Sequence, residues 1–332
     1  MGAGAVRDDR RGLVVGVDLG GTKIAAGVVG PDGTLRGEVH RRPTPAAQGP
    51  EAVLDAVAAA VGDAFAPATA GPLGVGVGTA GVVDAARGVV LSATASMPGW
   101  PGTDVAEGLR RRLGVDLVHV QNDVDAHATG ESWVGAAASA ASALVVAVGT
   151  GVGGSLVLQG RPWRGARFVA GEVGHIPAPG AEHLCCACGR LGHLEAIGAG
   201  PGLHRHYLSL GGDDGVPDSR AVVRLAGEGD ATATTAVRES ARAVGRVVAG
   251  LVTTLDPEVV VLAGGLVDVG ALWWRPMEEA LRTELIDVLQ DVPVRPAMLG
   301  GGAAVIGAAR PVWQSWQDSR THDRTIGDSS DV

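Results

Sequence analysis

The sequence predicts an α/β protein built from two copies of one unit, and three observations predict it. The first is an internal repeat. Residues 14–30 form an apolar run, a turn at Gly20-Gly21-Thr22 and a second apolar run, and residues 144–160 repeat that plan around Gly149-Thr150-Gly151-Val152-Gly153-Gly154. Each reads as a β-hairpin closed by glycine. The second is the alternation of strand-like and helix-like stretches within the halves. The third is composition. With 332 residues, 46% apolar and 19% charged, the chain is long enough for two domains with sizeable cores and unlike a disordered chain. A duplicated α/β domain with a cleft between the copies is the expected architecture.

The elements follow in chain order. After the first hairpin, residues 50–65 carry apolar side chains at helical spacing, 73–77 read as a strand, 103–113 as a helix and 115–120 as a strand. A helix over 124–135 follows Gln121-Asn122-Asp123. After the second hairpin, 211–219 reads as an exposed loop and 235–255 as a long amphipathic helix stopped by Asp256-Pro257. A buried strand at 259–262 gives way to Ala263-Gly264-Gly265, and helices are expected over 277–289 and 303–309. The expected division is a small lobe over 12–118, completed by a helix at 302–314, and a larger lobe over 119–301 that carries a cysteine loop at 175–195. The polar tail, 317–332, is expected to be disordered.

Charge and cysteine usage exclude several classes of function. The net charge is -9 and the 27 basic residues form no long run, so neither nucleic acid nor a membrane surface is an expected partner. The segment before the first strand is short and charged, which fits neither a signal peptide nor a membrane span. All three cysteines fall within 185–188, too close for a disulfide framework, which points to a reducing, cytoplasmic setting and a possible metal site. Lys23 is the single lysine beside 26 arginines.

The glycine turns invite two readings. Gly149–Gly154 and Gly76–Gly81 both match G-x-G-x-x-G, but a dinucleotide site needs a helix to open at the motif, and Ser155-Leu156-Val157 reads as a strand. A turn of this kind can instead wrap backbone N–H groups around a phosphate. The plainer alternative is two ordinary hairpins. Asp18, at a strand end beside the first turn, is placed to orient hydrated Mg²⁺. Asp123, at a strand-to-helix junction, suits the acceptance of a hydroxyl proton; the competing reading is that Asn122 and Asp123 only cap the helix. Glu172, His175 and Glu195 can accept from and donate to hydroxyl groups. Cys186, Cys188, His193 and His175 are a chemically sound tetrahedral Zn²⁺ set, with Cys185 and His183 as alternatives.

Taken in order, Asp18-Leu19-Gly20-Gly21-Thr22-Lys23, Asn122-Asp123, the 149–154 turn, Glu172-Val173-Gly174-His175 and Cys186-Ala187-Cys188-Gly189-Arg190-Leu191-Gly192-His193-Leu194-Glu195 resemble the ROK family of bacterial sugar kinases and related repressors. The resemblance spans about residues 13–309. It implies the actin-like, hexokinase-type ATPase fold, two lobes about a cleft. It implies ATP and Mg²⁺ as cofactors, with Gly20, Gly21, Thr22, Lys23, Gly149, Thr150, Gly151 and Gly153 at the phosphates and Gly264 and Gly265 at the adenosine. It implies Asp123 as catalytic base, a sugar clamped by Ser96, Asn122, Asp123, Glu172, His175 and Glu195, and a structural Zn²⁺.

The activity implied is phosphorylation of a hexose, glucose foremost, with an N-acetylated amino sugar (N-acetylmannosamine or N-acetylglucosamine) as the alternative. A homo-oligomer, dimer or tetramer, is implied as well. A sugar-responsive regulator is the lesser expectation, since only residues 1–12 precede the first strand and family repressors carry an N-terminal helix-turn-helix. Two positions depart from the family pattern. Ser96 stands where glucokinase-like members often have the asparagine of N-L-P-G-W, and His193 stands where the last cysteine of C-x-C-G-x-x-G-C would be.

Overall fold

The computed structural model describes residues 12–65, 71–93 and 97–327, with side chains as far as 319. In chain order the first half contains β1 (Val14–Leu19), β2 (Lys23–Val29), β3 (His40–Pro43), α1 (Pro50–Phe65), β4 (Gly74–Thr79), β5 (Val82–Asp84), β6 (Val89–Ser92), α2 (Val105–Leu113), β7 (Leu117–Asn122) and α3 (Asp123–Val134). There follow β8 (Ser142–Val148), β9 (Val152–Leu158), β10 (Arg161–Pro162), α4 (Glu195–Gly198), α5 (Gly200–Ser209), α6 (Ser219–Gly227), α7 (Ala231–Leu255), β11 (Val259–Ala263), α8 (Ala271–Glu284), β12 (Val294–Pro296) and α9 (Ala303–Gly327).

The duplication is explicit in the sheets. One is ordered β3-β2-β1-β4-β7 and the other β10-β9-β8-β11-β12. In each, an antiparallel hairpin continues into parallel strands: β1 pairs antiparallel with β2 and parallel with β4, as β8 does with β9 and β11. The repeated five-stranded sheet is the duplicated α/β unit that the hairpin repeat predicts, and it is the actin-like ATPase architecture that the resemblance implies.

Two compact units divide the chain. The first comprises the described residues of Met1–Ala138, Ala166–Phe168 and Leu299–Val332, and the second Ser139–Gly165 and Val169–Met298. The boundary near residue 118 therefore moves to 138, because β7 completes the first sheet beside β4 and α3 packs along α9. Glycine permits that packing. Gly16 and Gly76 are register partners in β1 and β4, and a Cβ on either would strike a carbonyl oxygen of α9, that of Val305 or Ala308. Gly307 of α9 lies in the same way against the Ala126 carbonyl of α3. Helix backbone rests directly on strand and helix backbone with no side chain between.

The core of the second unit gathers Leu144, Val146, Ile197, Leu203, Val248 and Met277 around the completely buried Trp273. The helix expected at 277–289 is displaced: α8 opens after Gly270 (φ 81°) and ends at Glu284, so that Trp273 and Met277, four apart, share its buried face. The tail expected to be disordered from 317 is helical to Gly327 as the continuation of α9.

Candidate active site

In the first unit the polar residues collect at the carboxyl ends of adjacent parallel strands, where open α/β sheets hold ligands. Asp18 in β1 lies level with Gly78 in β4, and Thr79 in β4 lies level with Asn122 in β7. Gly78 keeps the intervening position clear: a Cβ there would stand 2.7 Å from the Ala126 methyl and 3.6 Å from the Asp123 Cα. The Gly76–Gly81 motif is thus explained by packing, at Gly76 against α9 and at Gly78 beside α3.

Asp18 is half-buried, and its pKa is raised from 3.8 to about 6, first by burial, then by the Asp123 charge, with Lys23 opposing. Burial likewise raises the Asp123 carboxyl above the ordinary carboxylate range, and the Val124 N–H, 2.9 Å from its Oδ1, pulls the other way. Asn122 is the N-cap of α3. Its Oδ1 accepts from Val124 N (2.8 Å) and Asp125 N (3.2 Å), and its Nδ2 donates to the Gly81 carbonyl (2.9 Å). Capping by Asn122 fixes the first turn of α3, and Asp123 rides on that turn.

The first glycine turn is pinned by a residue the sequence reading missed. Thr44 donates through Oγ1 to the Gly20 carbonyl (2.7 Å) and through N to the Thr22 carbonyl (3.0 Å), while Gly20 N donates to the Lys23 carbonyl (3.0 Å). Those bonds engage the Gly20, Thr22 and Lys23 carbonyls, which leaves fewer carbonyl dipoles to oppose an anion at the turn. Ser96 lies outside the described residues.

In the second unit, the turn at 149–151 closes with Gly149 N donating to the Gly151 carbonyl (2.9 Å), and the Gly149 carbonyl accepts from Gly200 N (2.8 Å) at the start of α5. A cavity of about 660 Å³ opens there, lined by Gly149 and Thr150, by Gly265 and Leu266 after β11, and by residues of α5 and α6. That volume lies within the range of small-molecule sites. Gly264 is accounted for by packing, since a Cβ would meet the Val148 carbonyl, and its φ is 99°. Gly149 and Gly265 have no packing reason to be glycine: a Cβ on either would enter open space at the cavity. The 211–219 loop, read as simply exposed, in fact buries Val216, and Pro217, Asp218 and Ser219 line this cavity.

Glu172, His175 and Glu195 also belong to the second unit. Gly174 lets their segment lie against the Val152 carbonyl of β9. Glu195 Oε2 accepts from Val152 N (3.2 Å) and Cys186 Sγ points to its Oε1 (3.6 Å), so this carboxylate ties the glycine turn to the cysteine loop. His175 Nδ1 lies 3.7 Å from Cys186 Sγ, and its Nε2 lies 3.7 Å from Glu172. Cys188 Sγ lies 3.2 Å from His193 Nδ1.

The ligand atoms of His175, Cys186, Cys188 and His193 all fall within 4.8 Å of one another, and two thiols with two imidazoles suit tetrahedral Zn²⁺. Cys185 and His183, the alternatives, are not in that cluster. Cys185 turns to the Cys186 carbonyl, and the His183 ring lies 6.2 Å from that of His206. Burial raises the Cys186 thiol to about 11, whereas the backbone N–H of Arg190 lowers that of Cys188.

The profile described as the ROK family matches residues 14–314. The glucokinase of Streptomyces coelicolor is 34% identical over 317 residues, which cover 90% of this chain and 96% of that protein. The crystal structure of a ROK hexokinase from Thermus thermophilus is similar with a TM-score of 0.80 and 38% identity, over 92% of this chain and 99% of that one. A ROK family glucokinase from Streptomyces griseus, solved in complex with glucose and AMPPNP, gives a TM-score of 0.76 and 33% identity, over 91% and 100%. Among the described residues no helix is long and apolar enough to cross a membrane.

Proposed function

The chain belongs to the ROK family, and we propose from that footing that it is an ATP-dependent sugar kinase whose foremost acceptor is glucose. The observation that carries the reading is Asp123, a carboxylate on the first turn of α3 with a raised pKa, at the carboxyl end of the parallel strands and within electrostatic reach of Asp18. Phosphoryl transfer asks a protein for an aligned hydroxyl, a base and stabilised phosphate charge.

Asp123 takes the proton of the sugar's primary hydroxyl as that oxygen forms its bond to the γ-phosphorus. The bond from γ-phosphorus to the β–γ bridging oxygen breaks, and ADP leaves with that electron pair. Ser96, Asn122, Glu172, His175 and Glu195 are the proposed partners of the sugar's hydroxyls. Gly20, Gly21, Thr22 and Lys23, with Gly149, Thr150, Gly151 and Gly153, receive the phosphates, and Gly264 and Gly265 lie at the nucleoside. Asp18 would orient hydrated Mg²⁺, which when bound would supply neutralisation of phosphate charge. The His175, Cys186, Cys188 and His193 set would hold Zn²⁺, whose role is to cross-link the loop. The close-spaced free thiols support a reducing, cytoplasmic setting.

A coupled ADP-release assay across hexoses and N-acetylhexosamines tests the reading. Glucose is expected to give the highest kcat/KM. A higher value for an N-acetylated amino sugar moves the acceptor, and no ADP release with any sugar overturns the kinase reading.

A further inference from the structure

His204 lines the 660 Å³ cavity from α5, and its hydrogen bonding fixes which ring nitrogen is an acceptor. Its Nε2 lies 2.7 Å from the Val216 carbonyl oxygen. A carbonyl only accepts, so Nε2 carries the hydrogen and Nδ1 is left with the lone pair. Further contacts hold the loop against the helix. Tyr207, three residues along α5, accepts from Asp213 N through its hydroxyl (3.0 Å), and a side chain on Gly212 would run into the Tyr207 ring. The 211–218 loop is therefore wrapped on α5, with Val216 buried beneath it. The apolar walls of the cavity, Leu266, Val269 and Val223, suit the faces of a flat heterocycle.

We propose that His204 selects the purine: its Nδ1 accepts a hydrogen bond from the exocyclic amine of a 6-aminopurine, so that adenine is taken and a 6-oxopurine is turned away. This rests on the ATP-dependent reading and deepens it. A 6-oxopurine in the same orientation sets its O6 lone pair against the lone pair of Nδ1, and the amine that would satisfy the ring is gone. A site built around one directed hydrogen bond rejects the analogue that lacks its partner far better than an apolar slot does.

The test is ATP against inosine triphosphate, which carries the 6-oxo group and no 2-amino group that could pair in its place. The wild-type enzyme is expected to show kcat/KM at least about tenfold higher for ATP, the worth of one well-formed hydrogen bond. His204→Phe keeps a flat ring and removes the acceptor. It should raise the KM for ATP about tenfold, change that for inosine triphosphate by less than about twofold, and leave the KM for glucose in place. His204→Gln keeps both a donor for Val216 and an acceptor, and should hold the ATP preference within about threefold of wild type.

Equal use of the two nucleotides by the wild type overturns the proposal, and that measurement needs no variant to fold. An ATP preference that survives in active His204→Phe overturns it too, reducing His204 to an anchor for Val216. Both outcomes leave the kinase reading standing. The kinase reading falls separately if the wild type releases no ADP from ATP with any sugar.

Discussion

Asp18 and Asp123 are carboxylates that folding pushes toward their protonated forms, and this sets opposite expectations for stability and activity. A raised folded-state pKa means that the native state binds a proton more tightly than the unfolded chain does. Stability therefore falls as pH rises from the unfolded value of 3.8 through the folded value of about 6 for Asp18. That shift corresponds to at most about 3 kcal/mol near neutral pH. Asp18→Asn should raise the urea midpoint of the nucleotide-free protein near neutral pH, and the advantage should fade as pH falls toward 4. A midpoint that is lower at every pH would refute the account. For Asp123 the sign bears on catalysis, because only the ionised carboxylate takes a proton. The acid limb of kcat/KM should lie above the usual carboxylate range, with activity lost as pH drops through it. Asp123→Asn should lower kcat by roughly 10²–10⁴-fold while glucose binding, read by calorimetry, persists. A variant with more than about a tenth of wild-type turnover would rule Asp123 out as the base.

At the scale of elements, the close approach of α9 to the first sheet is specified by residues that look like nothing in sequence. Gly76→Ala drives a methyl into the Ala308 carbonyl and should cost at least about 1–3 kcal/mol. Gly250, within α7, meets nothing where a Cβ would stand, so Gly250→Ala should instead stabilise by up to about 1 kcal/mol. Urea midpoints of the two variants must move in opposite directions, and two shifts of one sign would refute the packing argument. This contrast also shows what was legible. Hairpins, α1 and α7 announce themselves because apolar periodicity and turn glycines are local signals. The placement of Asp18 and Asp123 at strand ends is legible because each closes an apolar run beside a turn or helix start, whereas the part of Asp123 as base is what the family resemblance implies. Thr44, Gly78 and His204 were not legible, since each acquires its part only from strand register or from a loop folded back on a helix. The start of α8 was misread because Pro276 lies inside it, where local rules place a boundary.

Over the whole molecule, one sheet plan is used twice and furnished differently. The first copy carries the two carboxylates. The second carries the nucleoside-sized cavity and, between β10 and α5, a long connection with little regular structure of its own. That connection is anchored by Ala181, Leu184 and Leu194 in the unit's core and by short backbone bridges such as Pro177 to His193. These contacts are interleaved with the ligands, and Cys186 itself lies in that core; Cys188 is exposed, so the metal should add the cross-link that fixes Glu172, His175 and Glu195 relative to one another. Purified active protein is therefore expected to contain close to one Zn²⁺ per chain. Chelation should expose the 182–193 segment to limited proteolysis and raise the KM for sugar about tenfold or more, with a smaller effect on the KM for ATP, whose proposed cavity is lined by α5, α6 and the residues after β11. Fully active protein with less than about 0.2 Zn²⁺ per chain would show that the loop holds its shape on packing alone.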